Sequence, residues 1–194
     1  MHDRRFAASQ AHRLDDPARK VWLPHAEVLG ALGLHPGDTV ADIGAGTGYF
    51  SLPIAQAVSP GGRVYAVDAQ EEMLSWLKQK LNMAGIANVD LVQAEAESTT
   101  LPSSSCDCYF MANVWHELED CGAAVQEARR SLRPGGKVAV LDWRPDVEPA
   151  HGPPLAHRLS PSHAMEHLRA AGFNAVSHMH VGQYAWLVQG ETRP

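Results

Sequence analysis

An aspartate stands two residues ahead of three closely spaced glycines in Val40-Ala41-Asp42-Ile43-Gly44-Ala45-Gly46-Thr47-Gly48-Tyr49. The run before the glycines is apolar and β-branched, and the run after them has helical character. Gly44 suits a tight turn, Gly46 lets a ligand approach the backbone, and Gly48 allows close packing where a helix begins. The spacing is G-x-G-x-G, whereas the loop that cradles a dinucleotide pyrophosphate is G-x-G-x-x-G. A carboxylate at Asp42 would repel a pyrophosphate and welcome an amine or a sulfonium.

A second acid, Asp68, closes the apolar run Val64-Tyr65-Ala66-Val67. It lies about 20 residues beyond the glycines, the separation at which an acid grips ribose hydroxyls in nucleotide-binding α/β units. An aspartate after a strand can also simply cap the next helix, and both readings stand. In Leu91-Val92-Gln93-Ala94-Glu95-Ala96-Glu97 two acids either compete to accept a hydrogen bond from an adenine amino group or are solvated loop charges. Within Met111-Ala112-Asn113-Val114-Trp115-His116-Glu117-Leu118, His116 has the ordinary pKa best suited to moving a proton near neutrality. It either takes a proton from a substrate or bonds the backbone and shapes a pocket. Glu117 reads as a structural acid near the next helix.

Two further groups carry less. His163 and His167 stand four apart on one helix, a spacing compatible with a metal, but the glutamate of H-E-x-x-H is missing. No metal site is expected. Cys106 and Cys108 flank Asp107 at a strand entrance, where period-two alternation puts both sulfurs on one face as buried or capping thiols.

These residues need elements to position them. Strands are expected at Thr39–Ile43 (β1), Arg63–Val67 (β2), Val89–Val92 (β3), Cys108–Ala112 (β4) and Lys137–Leu141 (β5). Between them helical spacing covers Tyr49–Val58, Glu71–Leu81 and Asp120–Leu132, after a short helix from about Leu23 to Leu34 ended by His35-Pro36-Gly37-Asp38. Ser160-Pro161 caps a further helix that stops at Gly172, and Ala175–His180 and Tyr184–Val188 follow too closely for a crossover. Alternating strands and helices require a parallel sheet, and the final hairpin must add an antiparallel strand. Ligands of such sheets bind beyond the carboxyl ends of the strands, where Asp42 and the glycine loop, Asp68, Glu95, Glu97 and His116 gather.

Taken together these motifs, with Leu132-Arg133-Pro134-Gly135-Gly136-Lys137 before β5, resemble the class I S-adenosylmethionine-dependent methyltransferases from about Leu23 to Val188. The resemblance implies a Rossmann-like seven-stranded sheet of order 3-2-1-4-5-7-6 with strand 7 antiparallel and helices on both faces. It implies that Asp42 and the loop of Gly44, Ala45, Gly46 and Gly48 hold the methionine end of S-adenosyl-L-methionine. Asp68 would bind the ribose, Ala69 and Met73 would lie beside the adenine, and Glu95-Ala96 would match the step that touches its amino group. The segment from Met111 to Leu118, with Asn113 and His116 in it, would face both the methyl group and the substrate.

The 194 residues suit one domain, with residues 1–22 as an N-terminal arm or lid. Apolar residues make up 45 % and charged residues 20 %, a globular balance. A net charge of -6 gives no general attraction to phosphate backbones, and Arg4-Arg5 and Arg129-Arg130 read as solvated faces, so no nucleic-acid partner is expected. Three cysteines without regular spacing and the absence of a long apolar stretch point to a cytoplasmic protein with no membrane partner. The Pro-rich segment Asp142–Leu159, with Trp143, Arg144, His151 and His157, is too short for a cap domain and suits a small-molecule methyl acceptor. The competing functions are a non-catalytic module that binds the same cofactor and a nicotinamide-dependent oxidoreductase, which Asp42 and the glycine spacing disfavour.

Overall fold

The computed structural model describes residues 6–148 and 151–194. The first five residues of the expected arm, Arg4-Arg5 among them, and residues 149–150 of the Pro-rich segment lie outside that range. Seven strands form one sheet: β1 (Thr39–Ile43), β2 (Arg63–Asp68), β3 (Val89–Gln93), β4 (Cys106–Ala112), β5 (Leu132–Trp143), β6 (Asn174–Val181) and β7 (Ala185–Glu191). Their spatial order is 3-2-1-4-5-7-6. The first five strands pair in parallel, and β7 runs antiparallel to both β5 and β6.

Because both faces of the central strands are covered, alternate residues feed two cores. Ala41, Ile43, Tyr109, Met111, Val138 and Val140 pack with α5 (Cys121–Ser131) and α6 (Pro161–Ala170). Val40, Phe110, Ala112, Ala139 and Leu141 pack on the other side, against α2 (His25–Leu32) and α3 (Ser51–Ala57). The four-residue helix α1 (Arg19–Trp22) precedes them. The longest helix, α4 (Glu71–Ala84), buries Met73, Leu74, Leu77 and Leu81, as the 3.6-residue period requires, and stops at Gly85 in the left-handed region. Truncating a fully buried leucine such as Leu77 to alanine would cost about 2–5 kcal/mol.

Several boundaries differ from the sequence expectation for identifiable reasons. Helix α2 ends at Gly33, whose φ of 62° closes it two residues before the His35–Asp38 turn. Tyr49 and Phe50 belong to the turn, and α3 starts at Ser51. The Arg133-Pro134-Gly135-Gly136 stretch, which resembles a stop, lies within the extended residues of β5. Facing it, the register of β4 shifts between Cys106 and Cys108. That irregularity overturns the expectation that both sulfurs share a face: Cys106 joins one core and Cys108 the other. Strand β5 also continues past Leu141, which carries Asp142 and Trp143 to the carboxyl edge of the sheet.

Candidate active site

A cavity of about 930 Å³ lies beyond the carboxyl ends of the strands and is lined by residues following β1, β2, β3, β4 and β5. On its floor the glycine loop is tied to β2 by the Gly44 and Ala45 N–H groups, which donate to the Val67 carbonyl at 2.9 and 3.0 Å. Gly44 and Gly46 have φ of 69° and 54°. A Cβ on Gly44 would lie 3.0 Å from that of Val114, and one on Gly46 would press on Leu14 at 3.3 Å. Gly48 differs. It is not among the lining residues, and a Cβ there would lie 2.3 Å from Leu77 Cδ1 and 2.7 Å from Leu52 Cδ1. Its role is the close packing of loop on helix.

Asp42 lines the cavity although its carboxylate is buried and accepts Ser51 Oγ–H at 2.5 Å. Burial pushes its pKa up to about 7. Asp68 ties the glycine loop to the approach to α4 without capping the helix. Its carboxylate accepts the Gly46 N–H at 2.8 Å and the Gln70 N–H at 2.9 Å ahead of α4, and it faces the cavity. Ala69, Met73, Glu95, Ala96 and Glu97 continue that wall.

Asn113 follows β4 directly, with φ of 57°, and its backbone N–H donates to the Leu141 carbonyl at 2.8 Å. Both polar atoms of its side chain are buried without a partner, on a residue that lines the cavity. A buried amide left in that state costs free energy that a polar ligand can recover. The residues fit a ligand that carries an amine and other hydrogen-bonding groups.

The next residues bring an imidazole against two carboxyl groups. The His116 backbone N–H donates to Asp142 Oδ2 at 2.8 Å, and the ring Nδ1 lies 2.8 and 3.0 Å from the two carboxylate oxygens. A carboxylate only accepts, so Nδ1 carries the proton of the bond and Nε2 is the free nitrogen of the neutral ring. Nε2 lies 3.7 Å from the Glu117 carboxylate. Burial opposes the charged ring, but the charge and hydrogen bond of Asp142, with Glu117 behind them, outweigh it and raise the His116 pKa above its ordinary value. Burial drives Glu117 up to about 7. Glu117, read from the sequence as a structural acid, lines the cavity and accepts the Phe6 N–H. Asp142 enters unannounced, because only the pairing of β4 with β5 sets it beside His116.

Residues from both flanks roof the cavity. In the N-terminal segment, the Phe6 N–H donates to Glu117 at 3.2 Å and the Phe6 carbonyl accepts Gln70 Nε2–H at 2.9 Å. The 3-10 helix Ala8–Asp15 follows. Asp15 accepts Thr47 Oγ1–H at 2.6 Å and pairs with Lys80. On the other flank Trp22 stacks on His151 at 4.6 Å and tilts against Trp143 at 5.3 Å. The buried Arg158 guanidinium gathers the carbonyls of Arg144, His151 and Pro153 at 2.6–3.0 Å, shaping the loop after β5.

The remaining groups take no part in the cavity wall. Trp115 Nε1–H donates to His163 at 3.2 Å, and the His163 and His167 rings lie 4.5 Å apart. Among the described residues no group of three or more His, Cys, Asp or Glu side chains is arranged to hold a metal ion. Burial raises the Cys106 thiol pKa and pushes those of Cys108 and Cys121 up to about 12 and about 11, well away from thiolate chemistry. No described helix is long and apolar enough to cross a membrane.

Comparison with known proteins adds a family to this geometry. Residues 41–140 match the model of a methyltransferase domain. A crystal structure of a SAM-dependent methyltransferase from Aquifex aeolicus is 33 % identical, covers 96 % of this chain and 99 % of its own, and superimposes with a TM-score of 0.90. The ubiquinone/menaquinone biosynthesis C-methyltransferase UbiE of Escherichia coli is 34 % identical over 119 residues, 60 % of this chain and 47 % of that one. The chain thus spans about half the length of the curated relatives it matches. Phosphoethanolamine N-methyltransferase 2 of Haemonchus contortus, solved with S-adenosyl-L-methionine, shares the fold at a TM-score of 0.74 and 15 % identity, over 88 % of this chain and 52 % of that one. The glycine loop, the acids beside it and the sheet order meet in one family, and the chain belongs to the class I S-adenosylmethionine-dependent methyltransferases.

Proposed function

We propose that this methyltransferase acts on a small molecule whose nucleophilic atom loses a proton to His116. The observation that carries the reading is the His116–Asp142 pair, buried at the ends of β4 and β5 with His116 lining the cavity and Asp142 behind it. A family member that methylates an already nucleophilic atom needs no base. An imidazole fixed by a buried carboxylate, with its pKa raised, suits an acceptor that does. Cavity volume and cover agree with a small molecule: 930 Å³ falls at the upper end of the range for ligand sites, room for a cofactor and a modest acceptor. The UbiE relatives, named for quinone biosynthesis, are consistent with that class.

Within this reading S-adenosylmethionine supplies an electrophilic methyl group. Asp42 and the loop of Gly44, Ala45 and Gly46 receive its methionine end. Asp68 takes the ribose hydroxyls while steadying the loop through Gly46, and Ala69, Met73, Glu95 and Ala96 border the adenine. Asn113 offers its unpartnered amide between cofactor and acceptor. Trp22, Trp143 and the Pro153-Pro154 loop hold the acceptor against His116 and exclude water. His116 Nε2 accepts the acceptor's proton, and Asp142 balances the imidazolium charge so formed. Holding the two reactants in line accounts for roughly 7–11 kcal/mol of barrier lowering in such reactions. The described residues 6–22 serve as a lid over the domain.

Incubating the protein with methyl-labelled cofactor and a fractionated extract tests this directly. Label should appear in low-mass products and disappear with the His116→Asn variant. Label found only in protein or nucleic acid would overturn the proposal.

A further inference from the structure

Arg19 is a buried cation whose Nε has no hydrogen-bond partner among the described residues. It lies in α1, is only 7 % exposed, and lines the cavity. Its Nη1 donates to the Leu14 carbonyl at 3.2 Å, while Nε is buried without a partner. The guanidinium sits 4.0 Å above the Tyr49 ring, which leaves its edge for hydrogen bonding.

The acids whose charge reaches Arg19 are engaged elsewhere. Asp15 is held by Thr47 and Lys80, and Asp42 by Ser51. Burial draws the Arg19 pKa down to about 10, so the side chain stays charged at neutral pH. One end of the cavity therefore presents a buried guanidinium and a buried carboxyl group, each within electrostatic reach of the other. Leaving a charge buried and unpaired is costly, and an anion bound there would relieve it. A guanidinium fork matches a carboxylate, and a carboxyl group next to it matches an ammonium. An α-amino acid carries both.

We infer that Arg19 binds the carboxylate of the cofactor's methionine moiety, opposite the ammonium that Asp42 receives. The inference rests on the assignment of the methionine end to Asp42 and the glycine loop. It makes the N-terminal segment part of the cofactor site as well as its cover, since a residue upstream of the first strand supplies the anion contact. An acceptor carboxylate would satisfy the same guanidinium. The cofactor is the better match because Arg19 lies on Tyr49, directly after the loop, and within reach of Asp42.

Calorimetry with two ligands separates these cases. S-adenosylhomocysteine keeps the amino-acid end, and 5′-methylthioadenosine lacks it. Arg19→Met should weaken S-adenosylhomocysteine by about ten- to a hundredfold, the range for a charge-assisted contact. It should leave 5′-methylthioadenosine binding unchanged, and Arg19→Lys should bind S-adenosylhomocysteine with intermediate affinity. Equal weakening of both ligands would make Arg19 a structural residue, and unchanged S-adenosylhomocysteine affinity would assign it to something else. Either result overturns the inference while the cofactor assignment stands. Wild type that binds neither ligand would remove both.

Discussion

Asp142 grips His116 at two points, accepting the backbone N–H at 2.8 Å and the ring Nδ1–H at 2.8 Å, so that one buried carboxylate sets both the turn after β4 and the imidazole tautomer. The ring nitrogen left for chemistry is Nε2, and the raised pKa means that its lone pair is lost to protonation already above the ordinary imidazole value of about 6.5.

The pH–rate profile should show the consequence. A base must be neutral to accept a proton, so turnover should fall as pH drops, with an acidic limb above about 6.5. Glu117, up to about 7, titrates in the same interval 3.7 Å away, and the limb belongs to the pair. His116→Asn should cut turnover by about 10²–10⁴-fold with cofactor affinity retained, and should remove the limb. Asp142→Asn keeps a hydrogen-bond acceptor without the charge. It should move the limb to lower pH and reduce kcat more than it changes KM. A limb unmoved in Asp142→Asn would show that Asp142 does not tune His116.

Stability of the ligand-free protein should decline as pH rises from about 5 to 8. Asp42 and Glu117 bind a proton more tightly folded than unfolded, since burial raises both to about 7. Folding then becomes less favourable as they are forced to ionise. His116 acts in the same direction: its raised pKa contributes stability below the unfolded value that is lost as pH passes the folded one. Glu127 is lowered, with burial outweighed by its bonds to Arg130 and Thr99, and its share is lost only further into acid. Asp42→Asn removes the largest buried acid from this sum. The variant should melt higher than wild type at pH 8 and show a flatter pH dependence, each 1 kcal/mol moving the midpoint by about 2–4 °C in a domain of this size. A wild-type midpoint that climbs steadily to pH 8 would contradict the burial of an ionisable Asp42.

What could be read from the chain alone followed local rules. Strand β1, the glycine turn and Asp68 were legible because a β-branched run, left-handed glycines and a terminal acid each leave a signature within ten residues. His116 was legible by residue type, but its partner was not. Asp142 is 26 residues away and becomes a neighbour only when β4 and β5 pair. Arg19 and Arg158 were hidden for a different reason. Isolated arginines in unpatterned segments read as surface charge, and their burial depends on carbonyls and rings supplied by distant turns. At Cys106 and Cys108 the period-two rule itself failed, because a register shift breaks the alternation it assumes. Gly48 kept the packing role that its position suggested, yet it stands behind the cavity wall.

The N-terminal segment should control ligand release more than folding. Leu14 rests against Gly46, and the next residue, Asp15, anchors it through Thr47 and Lys80 on the far side of the loop. Asp15 and Lys80 are 42 % and 32 % exposed at their side chains, and a partly exposed ion pair contributes at most about 1 kcal/mol to stability. Asp15→Ala should therefore lower the melting temperature of the ligand-free protein only slightly. Its effect on dissociation should be larger if the segment acts as the proposed lid, which would have to lift from Gly46 before a ligand beneath it left. Stopped-flow measurement of S-adenosylhomocysteine release should show a several-fold faster rate in Asp15→Ala, and Leu14→Ala should act in the same direction. The two variants share one element, so the double variant should gain less than the product of the single effects. Release at the wild-type rate in both would mean that the segment lines the cavity without gating it.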